Sequence, residues 1–481
     1  MNRIIYFCIT LACFLCSSCN DYLNIAPKGN KIPTTLADFE ALLRDQYTIS
    51  RTPVENALYL LNDVYLTNAK VNTPSLSQAN YMWDESADRI MLNNADEGTY
   101  YVLYGAISSC NLIIANAPTA TEATDSERKE VIAYAKVIRA LCYDVLVNYY
   151  ADTYDKATAA EKRSVPLITS ADIDAPYTQV SIQEMYDFII QDTKEAIEMG
   201  IPAQSMTAIH PNLGAAYALL ARVYLQMQNY DEALRYTNLA LEQNNQLFDW
   251  NAFYEEHQAA IDDPDNYDKI VTPMQYDYVE NYYLRYGVQS NFDSYEYNIP
   301  VERAGRFEEG DARFLSRWKL KVDNNDTYYK ALESGFFNHG GLTTCEAYLI
   351  KAECQARLAQ NNDYSASMNT LNSVRVTRIR PDKYQPATAA TLEEALSLIR
   401  RTKDNELIFS IVPFADARRF NLEGTYAGTL IKTYEGKEYS LSPTSHLWTM
   451  PFPAGALNNP GRFDNAVMRQ SAESRWLCVE R

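Results

Sequence analysis

Thirty-seven tyrosines stand in this chain of 481 residues, beside 16 phenylalanines and five tryptophans. A phenol ring offers an apolar face and a polar tip, so it can pack on the C–H face of a sugar or on a peptide, while Asn, Asp and Arg satisfy nearby hydroxyls. The same ring also packs between helices, and roughly half or more of these tyrosines are expected to do only that. Reacting groups are harder to find. The sequence has no G-x-S-x-G, H-E-x-x-H, G-x-x-x-x-G-K-[ST] or G-x-G-x-x-G motif. The four histidines, His210, His257, His339 and His446, lie far apart, and no pair has zinc-ligand spacing. Among 62 acidic residues a pair at glycosidase separation can arise by chance, so no specific acid/base pair is indicated. The run Asp262-Asp263-Pro264-Asp265-Asn266-Tyr267-Asp268 lacks the glycine and closing glutamate of an EF-hand and reads as a solvated acidic loop. Asp323-Asn324-Asn325-Asp326 reads the same way. Binding, with no cofactor, no metal and no catalysis, is the expectation.

Composition narrows the partners. Lys and Arg number 43 against 62 Asp and Glu, a net charge of -19, which repels phosphate backbones and argues against nucleic acid. With 47% hydrophobic and 22% charged residues the chain should bury a sizeable core. It opens with Met1-Asn2-Arg3 and an uncharged apolar run from Ile4 to Leu15, too short for a stable span and matching a signal-peptide core. Cys16-Ser17-Ser18-Cys19 follows and resembles a bacterial lipobox, with Cys16 where leucine is more usual. Residues 1–18 are therefore expected to be removed, leaving Cys19 lipidated at the head of a tether over residues 19–30. No later segment carries enough uncharged apolar residues to span a bilayer. Cys110, Cys142, Cys345 and Cys354 lie in helical patterns and read as small buried hydrophobes; with Cys478 the later cysteines are odd in number, so at least one is unpaired within the chain.

The elements that must position any binding groups are mainly helices. Capping boxes, a hydroxyl three residues before Glu, are expected at Thr124…Glu127, Ser181…Glu184, Thr343…Glu346 and Thr391…Glu394. After the first of these, Val131, Ala135, Ile138, Cys142, Val145 and Tyr149 recur at helical steps. Asn212 to Glu242 looks like a tetratricopeptide repeat: Ala221, Ala233 and Ala240 permit close helix approach, and Tyr217, Tyr224 and Tyr230 fill the larger gaps. Thr237 replaces the usual aromatic of the second helix. A looser copy begins at Glu346-Ala347-Tyr348 and reaches Ala366 past the turn Asn361-Asn362-Asp363; Glu127–Tyr150 with Ser181–Met199 suggests a further pair. Between them, 62–96, 251–338 and 422–481 read as long irregular stretches, the last with turns and short β-prone runs, and such loops are often functional.

The order of several blocks resembles the SusD/RagB family, the surface nutrient-binding lipoproteins of Bacteroidetes. The similarity rests on Cys19-Asn20-Asp21-Tyr22-Leu23-Asn24-Ile25-Ala26-Pro27, Asn111-Leu112-Ile113-Ile114 and Arg139-Ala140-Leu141-Cys142-Tyr143. It continues through the block from Ala215 to Tyr224, Glu346–Glu353, Leu371–Arg375, and Met450-Pro451-Phe452-Pro453 with Asn459-Pro460 and Asn465. One block departs: after Glu406-Leu407-Ile408-Phe409 the family usually has an acid, a glycine and an arginine where this chain has Ser410, Ile411 and Pro413. Asp416, Arg418 and Arg419 still fit, so a changed local salt-bridge network on an unchanged fold is expected there.

The resemblance implies a mainly α SusD-like fold, with tetratricopeptide-like helix pairs on one side and a loop-rich, ligand-binding side with minor β-strands. It implies an N-terminal region over 31–250 and a C-terminal region over 251–481 forming one compact unit. It implies a surface-exposed outer-membrane lipoprotein anchored through Cys19, a SusC-like TonB-dependent β-barrel transporter as partner, and a glycan or, alternatively, a peptide as ligand, without catalysis; a surface glycoside hydrolase is the remaining alternative. In the family, ligand-contacting aromatics tend to come from the loop before the Asn111 helix and from the segment after the clear repeat. Here those regions hold Asn80, Tyr81, Trp83 and Asp84, and then Tyr282, Tyr283, Arg285, Tyr286, Asn291, Phe292, Tyr295 and Tyr297. Trp83 is singled out because its near neighbours are polar or charged.

Overall fold

The computed structural model describes residues 33–457 apart from 46, 94–97, 173, 264–272, 288–296, 324–325 and 333–336. Helices of seven residues or more are numbered in chain order. They begin with α1 (Leu36–Leu43), α2 (Glu55–Leu61), α3 (Leu76–Met82), α4 (Gly98–Asn116), α5 (Asp125–Tyr150) and α6 (Ile182–Glu198). There follow α7 (Leu213–Gln226), α8 (Tyr230–Gln243), α9 (Trp250–Asp262), α10 (Thr344–Arg357), α11 (Ser365–Arg375), α12 (Leu392–Glu406) and α13 (Val412–Asn421). The strands are short: β1 (Arg163–Pro166), β2 (Gln179–Ser181), β3 (Asn281–Tyr283), β4 (Ile299–Pro300), β5 (Trp318–Asp323), β6 (Asp326–Ala331), β7 (Leu342–Thr343), β8 (Leu430–Tyr434) and β9 (Lys437–Leu441). They form small antiparallel pairings, β1-β2, β3-β7, β4-β6-β5 and β8-β9.

The spine is α5. Its capping box is complete: Thr124 N donates to Glu127 Oε2 at 2.7 Å, and Glu127 N donates back to the Thr124 hydroxyl. From Val131 to Tyr150 every residue is buried, which is what a helix covered on all sides requires. Its buried Lys136 and Arg139 are held by the helices beside it. Arg139 makes a two-pronged contact with Asp192 of α6 at 2.8 and 2.9 Å and donates to Asn111 of α4 at 2.7 Å, fixing three helices around one guanidinium. Lys136 adds a 2.8 Å contact to the same Asp192. The C-terminal segment closes the far end of α5: Met450 N donates to Tyr149 O, Arg418 donates to Ala151 O, and Phe452 stacks on Tyr150.

The helix pairs form as the alanines and caps predict: α5 packs on α6, α7 on α8, and α10 on α11, while α8 in turn lies on α10. Ala221, Ala233 and Ala240 are fully buried between α7 and α8, and Tyr224 and Tyr236 stack in parallel at 5.5 Å. Thr237 fits the place of a larger ring because its hydroxyl turns back and donates to Ala233 O at 2.7 Å. The stretched turn before α11 places both Asn361 and Asn362 at φ 55°, a left-handed conformation that asparagine tolerates well. Gly214 at the start of α7 has no room for a side chain, since a Cβ there would meet the Tyr282 ring at 2.5 Å.

Three expectations change. The capping box at Thr343 is only half made: Glu346 N donates to Thr343, but the Glu346 carboxylate is drawn away to the buried Arg222 at 2.6 and 2.7 Å. The stretch 62–96 is not irregular throughout. It holds α3 and the short helices Asn68–Val71 and Arg89–Leu92, each begun by a side-chain cap from Ser75, Thr67 or Asp88 and each too short to show periodicity. Likewise 251–338 opens on α9, whose N-cap Asp249 accepts from Asn251 and Ala252.

The departing block around Ser410 starts α13, with Pro413 in its first turn. A dense ion-pair network lies just beyond. Asp416 meets Lys403 at 2.7 Å and Arg419 at 3.0 Å, and Arg419 makes a two-pronged contact with Glu353 at 2.7 and 2.9 Å. Burial alone would raise the Asp416 carboxyl, but Lys403 and Arg419 hold it below the usual carboxylate range.

Candidate functional site

The α2–α3 segment meets two hairpins, β5-β6 and β8-β9, around a cavity of about 310 Å³. Aromatic rings form much of its wall: Tyr65, Tyr81, Trp83 and Tyr434, with Leu66, Val301 and Ile431 beside them. Polar groups converge between the rings. Tyr434 donates its hydroxyl to Asn68 Oδ1 at 2.9 Å, and Asn68 donates its amide to Asp326. Tyr65 stacks on Tyr328 at 4.5 Å, and burial, then the charge of Asp326 and a hydrogen bond to it, hold its phenol protonated well above the ordinary range.

Each wall is placed by local sequence chemistry. Helices α2 and α3 end in Asn62 and Trp83, both in the left-handed conformation at φ 55°, which turns the chain sharply after each helix. The β8-β9 hairpin turns at Glu435-Gly436, both at positive φ as a tight two-residue hairpin turn demands. That hairpin delivers Lys432. Its ammonium donates to Asn62 Oδ1 at 2.9 Å and to Tyr81 O at the C-terminal end of α3, where the helix dipole favours a cation. It also lies 4.2 Å from the Tyr81 ring centroid and 4.6 Å from that of Trp83, a cation held between two π faces. Burial brings its pKa down to about 7, with Glu302 opposing the fall.

The residues named from sequence divide sharply. Tyr81 and Trp83 reach the cavity wall, but both are only 7% exposed, and Trp83 Nε1 donates to Leu60 O at 2.7 Å. Trp83 is thus as much a core residue as a lining one. Asn80 is buried and donates to Asn56, while half-buried Asp84 accepts from Ser86 N and Oγ in a local turn. The second set is interior. Tyr282 donates to Asn244 O, Tyr283 is fully buried, and Arg285 donates to Thr52 Oγ1, Arg51 O and Cys142 Sγ. Tyr286 is buried beside them, and Tyr297 packs against Phe409, His339 and Phe337. Their aromatic density, read in sequence as a binding surface, is core packing between β3, β7 and the helical body. Asn291, Phe292 and Tyr295 lie outside the described residues, as do Cys19 and Cys478.

Sequence reasoning missed Tyr65, Asn68, Asp326, Lys432 and Tyr434. Asp326 in particular was read as part of a solvated loop, yet it begins β6, is half-buried and accepts from Asn68. One signal was available for the hairpin: Glu435-Gly436 between two β-prone runs.

Other chemistry in the described residues serves the fold. Glu280, Cys345 and Glu406 bring possible metal-ligand atoms within 4.8 Å of one another, but Arg378 already meets Glu280 at 2.6 Å and Glu406 at 2.7 Å, and Arg313 also pairs with Glu406. Two arginines thus supply the positive charge a metal would bring. Cys110, Cys142, Cys345 and Cys354 are buried free thiols. Burial raises all four above the ordinary thiol range, which makes them inert. No helix among the described residues is long and apolar enough to cross a membrane.

Fold and cavity together define a helical scaffold protein with a loop-borne aromatic cavity. Residues 21–225 match the SusD-like_3 family model, described as starch-binding and associating with the outer membrane. A SusD-like protein, P25, of Formosa agariphila is 26% identical over 208 residues, a stretch that spans 38% of this chain and 38% of that protein. Among solved structures, a SusD superfamily protein from Bacteroides thetaiotaomicron superposes with a TM-score of 0.67 at 16% identity, covering 90% of this chain and 99% of that one. A SusD-like carbohydrate binding protein from Bacteroides vulgatus gives 0.61 at 17% identity, covering 89% and 97%. The chain thus has the fold of the SusD superfamily structures, and its residues 21–225 are similar to the SusD-like_3 family.

Proposed function

We propose that this protein is a non-catalytic, surface-exposed lipoprotein of the outer membrane that captures a glycan and delivers it to a SusC-like TonB-dependent transporter. The observation that carries the reading is the cavity walled by Tyr65, Tyr81, Trp83 and Tyr434 on a fold shared with a carbohydrate-binding relative. Rings spaced around a cavity of this size suit one or two sugar units, each offering an apolar face, while Asn68, Asp326 and Lys432 stand ready for hydroxyls. Membrane attachment is supported by the lipobox-like segment ending in Cys19 and by the family description. The role of partner goes to a β-barrel over which the helical scaffold would act as a lid.

The test has two arms. Expressed in a bacteroidete host, the protein should incorporate labelled palmitate and co-purify with a large β-barrel, and Cys19→Ser should lose both. The purified mature chain should be retarded in affinity gels by at least one glycan, and Tyr434→Ala should weaken that retardation about tenfold. An unlipidated product that never meets a barrel would overturn the localisation. Retardation untouched in Tyr434→Ala would move the binding site elsewhere, and release of sugar from any glycan on incubation would overturn the non-catalytic assignment.

A further inference from the structure

A second cavity, of about 620 Å³, opens beside the first and shares Arg306 and Leu430 with it. Its walls come from α12, from the turn around Gly305 and from the segment leading into β8. Its charged lining is unusual for so acidic a chain: Arg306, Arg400 and Arg401 face it, against Glu393 and Asp404.

The carboxylate partners of these three guanidiniums are distant or shared, and Arg400 also lies over the Phe420 ring at 4.8 Å. Arg306 Nη1 lies 3.7 Å from Asp63, a carboxylate that the buried Arg303 already holds at 2.5 Å. Arg400 Nε stands 4.0 Å from Asp404. Arg401 lies 3.2 Å from Glu308, which Arg375 holds at 2.7 Å. Elsewhere in the molecule arginines meet carboxylates in close two-pronged contacts, as Arg139, Arg222 and Arg419 do. Burial also pushes the Asp404 carboxyl up to about 6, so this acidic group loses its charge only below that pH. Arg306 and Arg401 are 44% and 45% exposed, so their donors are open to a ligand.

We propose that this second cavity is an anion subsite, and that the glycan running from the aromatic cavity across Arg306 is acidic, bearing carboxylate or sulfate ester groups. The inference rests on the glycan reading above and names the ligand class for it. Planar guanidiniums match both groups with paired hydrogen bonds. The overall negative charge does not forbid this, because exposed charges are screened beyond about 8–10 Å at physiological salt, so the groups nearest the ligand dominate.

Affinity gels containing polygalacturonate, dextran sulfate, dextran or mannan separate the possibilities. The expected result is retardation by an acidic polymer, diminishing as salt is raised and about tenfold weaker in Arg306→Gln and in Arg400→Gln. Preference for polygalacturonate identifies carboxylate as the recognised group, and preference for dextran sulfate identifies the sulfate ester. Binding to neutral polymers alone, lost in Tyr434→Ala and unchanged in both arginine variants, overturns the acidic ligand and leaves the glycan reading standing. Acidic-polymer binding unaffected by either arginine variant also overturns the subsite. Failure of all four polymers counts against both readings.

Discussion

The paired-helix side and the hairpin side of this molecule use the same residue types to opposite ends. Among the helices, arginines are buried and closed: Arg222 on Glu346, Arg139 on Asp192 and Arg419 on Glu353, each with two short contacts. Around the cavities, cations sit on neutral or shared partners: Lys432 on an amide, a carbonyl and two rings, Arg306 on a carboxylate already taken. Tyrosines divide in the same way. Tyr143, Tyr149, Tyr186, Tyr282 and Tyr283 are fully buried, whereas Tyr65 and Tyr434 keep half-buried rings at the cavity. The difference teaches that satisfaction of a polar group, more than its type, separates scaffold from site.

Breaking a closed pair should have the largest effect. Glu346→Ala leaves Arg222 buried without its main partner and should cost about 3–5 kcal/mol, read as a lower urea midpoint. A loss below about 1 kcal/mol would mean that this side is not held as the comparison claims. The cavity side should behave in reverse. Tyr65→Ala with Tyr434→Ala should reduce glycan binding at least tenfold while the midpoint of unfolding stays close to wild type, since both rings are half-exposed. Trp83→Ala cannot serve as this probe, because it removes a core side chain and its hydrogen bond to Leu60.

A smaller effect is expected at a helix start. Thr391→Ala removes the capping box of α12 and should cost about 1 kcal/mol, with binding unchanged.

The subtlest test concerns pH. Lys432 titrates near 7 in the folded protein and at its ordinary, higher value when unfolded. Between these two values the unfolded chain binds more protons, so this lysine makes stability rise with pH from about 7 toward about 10. Lys432→Met should remove that contribution, so the stability difference between the two proteins should shift in favour of wild type across the window. A pH-independent difference would show that the ammonium is not held as described.

What could be read in sequence follows the range of the interactions. The capping boxes at Thr124, Ser181 and Thr391, the alanines of the α7–α8 pair and the buried thiols depend on neighbours within a turn or two, and the sequence displays them. The half-made box at Thr343 went astray because Glu346 answers to Arg222, distant in sequence and invisible to a local pattern. The cavity was legible only at Tyr81 and Trp83. Its other wall arrives on the β8-β9 hairpin, where Lys432 meets Asn62 across a separation of 370 residues. The aromatic run from Tyr282 to Tyr297 misled for the complementary reason: composition cannot tell a ring facing solvent from one facing β7 and the core.

The central claim is that ligand enters through the aromatic cavity on the hairpin side. A crystal structure of the mature chain with an oligosaccharide selected from the gels tests it most directly. The account predicts sugar density against Tyr65 and Tyr434, within hydrogen-bond reach of Asn68 or Lys432. Sugar bound on the outer face of the α7–α8 or α10–α11 pair, with the cavity empty, would contradict it.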